Sequence, residues 1–181
     1  MAAGQFLFDP VVVRAAAAAM GVVFLLGALA KLRDMTVFRY AADNYRLLPA
    51  PLVAPFAWAF ALAELAAGLI LVLAPGRPLA LFPAAGVLAV ATGAVAISLL
   101  RGLDRIECGC GSGGQRISWG LVARNAGLAT VVALAAGPET GRALGALDYF
   151  TVAGLVLALL ALYACANQLL ANQPFLKEIH P

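Results

Sequence analysis

Two cysteines separated by a single glycine, Cys108 and Cys110, are the side chains of this sequence best suited to chemistry. They lie in a glycine-rich segment, 107–114, whose backbone is free to make the sharp turn that would bring such close thiols together. A disulfide closed across so few atoms departs from relaxed geometry, so it should be comparatively easy to reduce. The pattern therefore predicts thiol–disulfide exchange, with Cys108 and Cys110 as the catalytic pair.

Two other interpretations of this pair stay open. Two thiolates can bind a soft ion such as Cu(I), and cysteines can be inert, although inert cysteines are usually buried singly in apolar surroundings. Arg105 and Arg116 would favour the reactive thiolate, whereas Asp104 and Glu107 would oppose it. The single histidine, His180, nearly excludes histidine-based metal sites and Ser-His or Cys-His nucleophiles, so no metal site of that kind is predicted.

A third cysteine, Cys165, lies five residues before Leu170, where the last apolar segment is predicted to end. At about 1.5 Å per residue, it would be roughly 8 Å inside the end of the bundle that also carries the cysteine pair. It is a candidate resolving thiol for Cys108 or Cys110. A lone cysteine in an apolar helix is, however, more usually a small hydrophobic residue.

Four further polar side chains are candidates for supporting roles. Glu64 lies in the middle of an apolar segment, where a carboxylate is costly unless it is protonated, paired or placed in a wet cavity. It is expected either to handle protons or to pair two helices. Lys31, Arg124 and Asn125 lie near the ends of two other apolar segments. The two cations either extend to the membrane surface or point inward toward the cysteine pair.

The composition requires a membrane around these residues. Of 181 residues, 64% are hydrophobic and 12% are charged, and the mean hydropathy is +0.95, whereas soluble domains are about half apolar and a quarter charged. A net charge of +3 without a basic stripe argues against nucleic acid as a partner. The lipid bilayer is the first partner that the sequence predicts.

Five apolar segments approach the roughly 20 residues that a helix needs to cross a bilayer. They predict an all-α, single-domain (1–181) integral membrane bundle of four to five transmembrane helices at 10–32, 52–74, 78–100, 119–137 and 149–170. Between the first two, Met35, Phe38, Ala42 and Tyr45 recur at helical spacing, which predicts a short interfacial helix. Small residues at four-residue spacing, as in Ala123 and Gly127, further predict close helix packing.

Alternate crossing of the membrane gathers the polar loops on one side. We call the end of the bundle that contains residue 10 face A, and the opposite end face B. Loops 31–51 and 101–118 and the tail 171–181 all fall on face B, whereas face A receives only the turn around Gly76 and the loop 138–148. The cysteine pair is therefore expected on face B.

Several short motifs occur in order and together resemble the MauE family, within the wider group of DoxX-like redox-associated membrane proteins. They are residues 27–31 followed by Asp34 and Phe38, 45–49, 64–68, 108–111, and Trp119 with Arg124 and Asn125. The resemblance runs from about residue 24 to residue 128. Cys108 and Cys110 match the cysteine pair of the family. Ser112 and two further glycines stand where members often carry an aromatic residue.

The resemblance implies a multi-pass protein of the bacterial inner (cytoplasmic) membrane that assists disulfide formation in an exported protein. In the family, this is thought to occur beside a thioredoxin-like redox protein while the disulfide-rich small subunit of methylamine dehydrogenase is assembled. The implied partners are thus a thioredoxin-like protein and a cysteine-rich exported client. The chain would be a thiol–disulfide oxidoreductase or an accessory factor to one.

A different function remains open from the residues themselves: a small-solute or soft-metal membrane carrier that uses Glu64 and the Cys-Gly-Cys loop. No cofactor is evident, because nucleotide, haem and HExxH signatures are absent from the sequence. A quinone is compatible as an electron acceptor, although no motif marks it.

The distribution of basic residues conflicts with a role in exported proteins. Face A holds Arg77 and Arg142, with Arg14 near its edge. Face B holds Lys31, Arg33, Arg39, Arg46, Arg101, Arg105, Arg116 and Lys177. The positive-inside rule therefore predicts that face B is cytoplasmic, whereas oxidation of an exported client requires the cysteines on the opposite side.

Overall fold

Six helices make up the fold in the computed structural model, which describes residues 8–77, 79, 81–109, 115–137 and 141–179. The predicted all-α membrane bundle with a short helix after the first long one is confirmed. In chain order, the helices are α1 Pro10–Arg33, α2 Met35–Asn44, α3 Ala50–Leu73, α4 Leu81–Leu100, α5 Trp119–Ala135 and α6 Ala146–Ile179.

Four of these helices, α1, α3, α4 and α6, are long and apolar enough to cross a membrane, and α5 is a shorter apolar helix. The chain is thus a multi-pass membrane protein. Contacts at the two ends of the bundle show how α5 runs. The Gly76 amide, after α3, donates to the carbonyl of Ala135 at the end of α5, 3.1 Å away. The loop before α5 contacts α2 at the opposite end, so α5 extends from face B to face A.

One aspartate ends α1 and begins α2. Asp34 leaves the helical conformation (φ −135°, ψ 74°), and its Oδ1 accepts a hydrogen bond from the Val37 amide at 3.0 Å. Such a side-chain cap satisfies an amide that the first turn of a helix leaves unpaired. At the other end of α1, Asp9 caps the helix by accepting from Val11 at 2.9 Å. Aspartate side chains therefore cap the start of α1 and the start of α2.

Helix α1 occupies the centre of the bundle and packs against α3, α5 and α6. It meets α3 through two glycines: a Cβ added to Gly68 would lie 3.1 Å from the Gly21 carbonyl oxygen and 3.0 Å from the Leu25 amide nitrogen. Ala61, Glu64 and Gly68 share the buried face of α3, as the four-residue spacing of small residues predicts.

The same spacing gave a wrong prediction on α5. Ala123 and Gly127 are exposed, and no atom lies within 4 Å of a Cβ built on Gly127. The buried face of α5 carries Leu121, Asn125 and Val132 instead. Alanine and glycine surround these helices on all sides, so their spacing alone does not select the face that packs. The larger and polar side chains select it.

The helix ends differ from the predicted segments in two informative places. Helix α3 begins at Ala50, because Pro51 fits the first turn of a helix, where its missing amide hydrogen costs nothing. Helix α6 begins at Ala146 and continues to Ile179, beyond the predicted end at Leu170. The prediction ended the helix where the apolar run ends, whereas the backbone helix continues nine residues past Leu170.

Candidate functional site

The segment before and after the cysteine pair forms a narrow hairpin at face B. Glu107 and Arg116 form an antiparallel bridge, and the Cys108 amide donates to the Gln115 carbonyl at 2.8 Å. Cys108 therefore lies at the base of the hairpin. It is 9% exposed and disulfide-bonded, whereas Cys110, the other predicted catalytic thiol, lies outside the described residues.

Apolar packing holds the base of this hairpin to the bundle. Cys108 belongs to a buried cluster with Tyr45 of the first face-B loop, Val95 of α4, Ile117 and Leu121. Leu170 of α6 packs against the same cluster. Elements from four parts of the chain thus meet in the cluster that contains Cys108, which fixes the base of the hairpin relative to the membrane helices.

Helix α2 forms the second support of the cysteine segment. The Tyr45 hydroxyl donates to the Cys108 carbonyl at 3.0 Å, and burial raises the pKa of Tyr45 to about 12, which keeps the hydroxyl protonated as a donor. Gly109 has φ +70°, and a Cβ on it would lie 2.9 Å from the Ala41 Cβ and 3.6 Å from Phe38. Glycine is required here by conformation and by space.

A buried ion pair lies within the membrane region next to this end of the bundle. Lys31 of α1 and Glu64 of α3 are 7% and 8% exposed, and Lys31 Nζ lies 2.8 Å from Glu64 Oε2. Gly27 makes room for the carboxylate, because a Cβ there would come within 2.6 Å of Glu64 Oε1. Of the two predicted roles of Glu64, helix pairing is therefore visible in the structure.

Phenylalanines surround the Lys31 ammonium and connect it to the cysteine segment. Its Nζ lies 5.4 Å from the ring centre of Phe38 and 5.8 Å from that of Phe60. Both are within the range of cation–π attraction. Because Phe38 also borders Gly109, contacts run continuously from Glu64 through Lys31 and Phe38 to the residue that follows Cys108.

A second polar group joins α4, α5 and α6. Arg124 donates to the side-chain oxygens of Asn125 and Asn167, and Asn125 donates to the Thr92 hydroxyl at 3.1 Å. The guanidinium carbon also lies 5.8 Å from the centre of the Tyr163 ring. Arg124 thus points into the bundle, which is one of the two orientations that the sequence left open.

A cavity of about 410 Å³ lies between these two polar groups. Its wall is mostly apolar and is contributed by every helix of the bundle. Its main polar lining residues are Lys31, Tyr45, Glu64, Cys108, Arg124, Asn125 and Tyr163. The fold therefore brings five of the predicted site residues to one cavity although they lie far apart in sequence.

Cys165 is placed differently. It is a free, exposed thiol and is not among the described residues that line the cavity. Tyr163 and Asn167 contact Arg124. A residue two positions from each lies on the opposite side of the helix, because each residue turns the helix by about 100°. Its role as a resolving thiol stays a prediction that this placement does not favour.

Sequence reasoning missed three contributors to the site: Gly27, Phe60 and Thr92. A signal existed for Phe60, since it lies four residues before Glu64 and so shares its face of α3. Gly27 lies four residues before Lys31 on α1. Its contact with Glu64, however, depends on how α1 and α3 pack. Thr92 carries no sequence signal.

Comparison with known proteins places the chain in a family. The model of the family "Methylamine utilisation protein MauE" matches residues 9–137, which include α1 to α5 and every predicted site residue except Cys165. A protein of Paracoccus versutus called "Methylamine utilization protein MauE" is 40% identical over 162 residues, 86% of this chain and 87% of that protein.

Relatives of the same name show similar agreement. The one from Methylorubrum extorquens is 38% identical over 165 residues, 85% of this chain and 86% of its own length. The one from Paracoccus denitrificans is 38% identical over 133 residues, 72% of this chain and 71% of its own. No solved structure gives a significant match. The matched family model and these relatives together establish that the chain belongs to the MauE family.

Proposed function

We propose that this protein is a thiol–disulfide redox protein of the bacterial inner membrane that supports disulfide formation in a cysteine-rich exported protein. The observation that carries the proposal is the disulfide-bonded state of Cys108 at the base of a hairpin that α2 and a polar membrane cavity support. With Cys165 free, Cys110 is the cysteine left in the sequence to be its partner.

The reaction is an exchange of two electrons and two protons. A thiolate of the client, or of a thioredoxin-like protein that serves it, attacks one sulfur of the pair and displaces the other as a thiolate. The second client thiol then releases the mixed disulfide. The client gains a disulfide, and Cys108 and Cys110 are left as two thiols.

The burial of Cys108 sets the direction of this attack. A cysteine residue that is 9% exposed is poorly accessible to another polypeptide, so Cys110 receives the incoming thiolate and Cys108 leaves. The supporting residues act on the backbone of the leaving cysteine: Tyr45 donates to the Cys108 carbonyl, and Phe38, which contacts the ammonium of the Lys31–Glu64 pair, lies beside Gly109. These are positioning residues.

The relatives' names suggest the pathway in which the protein acts. They are called methylamine utilization proteins, so we infer a role in methylamine utilisation, with the disulfide-rich small subunit of methylamine dehydrogenase as the client. This subunit would be co-produced with the wild type and with the double variant Cys108→Ser/Cys110→Ser, and its free thiols measured by alkylation and gel shift. The double variant should leave the subunit reduced, and normal oxidation would refute the proposal.

Cys165→Ser is the matched control for this experiment, since it removes an exposed thiol that does not line the cavity. It should support oxidation as the wild type does. A loss of oxidation in Cys165→Ser alone would assign the thiol a resolving role. Single variants test which sulfur is attacked through the reverse reaction with an oxidised thioredoxin-like protein: the Cys110 thiolate of Cys108→Ser should attack the disulfide of that protein and form a mixed disulfide, whereas the buried thiol of Cys110→Ser should not.

The proposal requires face B to be on the side where the client is oxidised, contrary to the count of basic residues. One residue in that count, Lys31, is paired with Glu64 inside the bundle and so contributes little charge to the membrane surface. A membrane-impermeant maleimide applied to intact cells tests the side directly. It should label Cys110 in a Cys108→Ser/Cys165→Ser variant, and label that enters only after lysis would contradict the proposal.

The same geometry gives less support to the carrier function that uses Glu64. The carboxylate already lies 2.8 Å from the Lys31 ammonium, so a transported cation would have to displace a residue of the protein itself. The two functions separate cleanly in experiment. A carrier would lose transport in Glu64→Gln, and also without the cysteines where these bind the metal, whereas only the redox protein loses client oxidation in the cysteine variants.

A further inference from the structure

We propose that the cavity between the Lys31–Glu64 pair and Arg124 binds a lipid-soluble quinone, which re-oxidises the cysteine pair after each exchange. The inference rests on the proposed function and names the acceptor for its electrons. Cys108 and Gly109 line this cavity together with the Lys31–Glu64 pair. A molecule in the cavity would therefore be next to the sulfur that must lose electrons.

The cavity suits a ligand that arrives from the bilayer. Its volume of about 410 Å³ lies within the roughly 300–1,000 Å³ of small-molecule sites, and most of its lining is apolar. Val90 and Ile97 line it although they are 46% and 47% exposed. Both belong to the membrane-crossing helix α4, so the cavity opens within the apolar zone, where a quinone is dissolved.

The polar lining matches the two carbonyl oxygens of a quinone. An ammonium and a guanidinium, from Lys31 and Arg124, face one cavity from different helices. The ammonium has three N–H donors and the guanidinium has five, more than their described partners use. Phe38 and Phe60 add aromatic surfaces for the ring.

A hydrocarbon occupant would not explain this lining. Cations in the apolar part of a membrane protein are costly, and they are typically retained where a pathway or ligand needs them. An acyl chain has no group for Lys31 or Arg124 to recognise, whereas the oxygens of a quinone become negative as it accepts electrons. Lys31 would stabilise that charge.

The electron balance is complete. The two thiols left by exchange form one S–S bond and release two electrons and two protons. The quinone takes up both electrons and both protons and leaves as a quinol. One disulfide is thus regenerated for each quinol formed, and no other oxidant is needed.

Two glycines of α4 provide a matched pair of variants. Gly93 lines the cavity, and no atom lies within 4 Å of a Cβ built on it, so Gly93→Leu fills the cavity without a clash at the backbone. Gly86 lies two turns earlier on the same helix, also has open space around its Cβ, and does not line the cavity. Gly86→Leu is the control.

The test uses the full-length protein in nanodiscs, reduced with dithiothreitol and freed of reductant under argon. A ubiquinone with a short saturated tail is added, and quinone absorbance and protein thiols are followed together. The wild type and Gly86→Leu should form one quinol per disulfide, and Gly93→Leu should react about tenfold more slowly or not at all because the site is filled. Lys31→Met should weaken quinone binding, and retained binding in it would remove the proposed role of the ammonium.

A second measurement distinguishes failure of this inference from failure of the proposed function. The oxidised variants are mixed with a reduced thioredoxin-like protein in the absence of quinone, and a single turnover is measured. Equal exchange by Gly93→Leu and Gly86→Leu, with quinone reduction lost only in the former, supports the quinone site. If the wild type exchanges but does not reduce quinone, or if both leucine variants reduce it equally fast, the cavity holds lipid and the inference is wrong. Failure of exchange in the wild type refutes the proposed function instead.

Discussion

The two ends of the bundle are both held by ion pairs of nearly equal length, yet they differ in what surrounds the charges. At face A, Arg142 reaches Asp148 at 2.9 Å and Asp9 at 3.1 Å, with its side chain 45% exposed. Toward face B, Lys31 and Glu64 meet at 2.8 Å with little exposure. By distance alone, these ion pairs would be expected to contribute equally to stability. Burial separates them, because an unpaired charge costs little in water and much inside a membrane bundle.

The comparison also separates two uses of charge. The face-A pairs join the cap of α1 to the start of α6, and their residues are not among the described residues that line the cavity. The face-B pair lines the cavity beside Cys108. An ion pair that only holds two helices together can be exposed to water. An ion pair that positions residues beside the cysteines has to lie where water is excluded. The variants below test this contrast, beginning with the largest expected effect.

Breaking the buried pair should have the largest effect on stability. Lys31→Met or Glu64→Leu leaves one charge buried without its partner, which typically costs about 3–5 kcal/mol. The double variant removes both charges and should recover most of that loss. Unfolding in mixed micelles with increasing dodecyl sulfate would measure the three values, and losses that simply add in the double variant would show that the pair is not coupled.

Gly109→Ala should have the next largest effect, because it introduces both a strained backbone and a clash. The residue has φ +70°, and the new methyl would lie 2.9 Å from the Ala41 Cβ. Strain of this kind costs about 1–3 kcal/mol. Gly102→Ala is the control, since Gly102 has φ +75° but open space around its Cβ. Equal losses of stability in the two variants would mean that the close contact between α2 and Gly109 contributes nothing to the cost.

Tyr45→Phe should have a moderate effect with a distinctive dependence on pH. It removes the hydrogen bond to the Cys108 carbonyl, worth about 1 kcal/mol. The pKa of Tyr45 is raised from 10.0 to about 12, so the unfolded chain loses the phenolic proton first as the pH rises. Between pH 10.0 and about 12, the wild type should therefore lose more stability than Tyr45→Phe does.

The phenylalanine variant lacks this titration and is the control for it. Amide hydrogen exchange at Cys108 should also become faster in Tyr45→Phe, since the segment loses one of its supports. If the stability of the two proteins depends on pH in the same way, the fold does not raise the pKa of the tyrosine.

Arg142→Gln at face A should have the smallest effect, and salt should abolish most of it. Hydrogen bonds from Arg142 and the Val11 amide hold the pKa of Asp9 below its ordinary value. A lowered carboxyl pKa contributes stability that is present above the ordinary value and is lost as pH falls through the folded one. The wild type should thus lose slightly more stability than Arg142→Gln below pH 3.8. A loss comparable to that of Lys31→Met would overturn the contrast between the two ends.

Much of the fold was predictable because lipid imposes a simple requirement on sequence. Long apolar segments mark the membrane helices, and alternate crossing brings the two long loops to one end, where Tyr45 meets Cys108. The chemical types in the site were also recognisable: a cysteine pair, a carboxylate in an apolar helix and an inward arginine. These residues are recognisable because a charged side chain within an apolar segment is costly to place in a membrane, and because two cysteines separated by one glycine are unusual.

The pairings within the site were less predictable, since they depend on helix rotation. Lys31 and Glu64 were each recognised, but their contact requires that Gly27 face α3. Ala123 and Gly127 show the same point from the other side: their spacing suits packing, yet α5 turns them outward. Periodicity gives the candidate faces of a helix, and only the volumes of all neighbouring side chains decide between them.

The length of α6 has a consequence for any protein that approaches the cysteines. Beyond Leu170 the helix continues for nine residues to Ile179, which adds about 14 Å at 1.5 Å per residue. Leu170 packs against the Cys108 cluster, so this extension leaves the bundle at the same end as the hairpin. A polypeptide that approaches the disulfide therefore has this helix on one side, which restricts the directions from which its own thiol can reach the target.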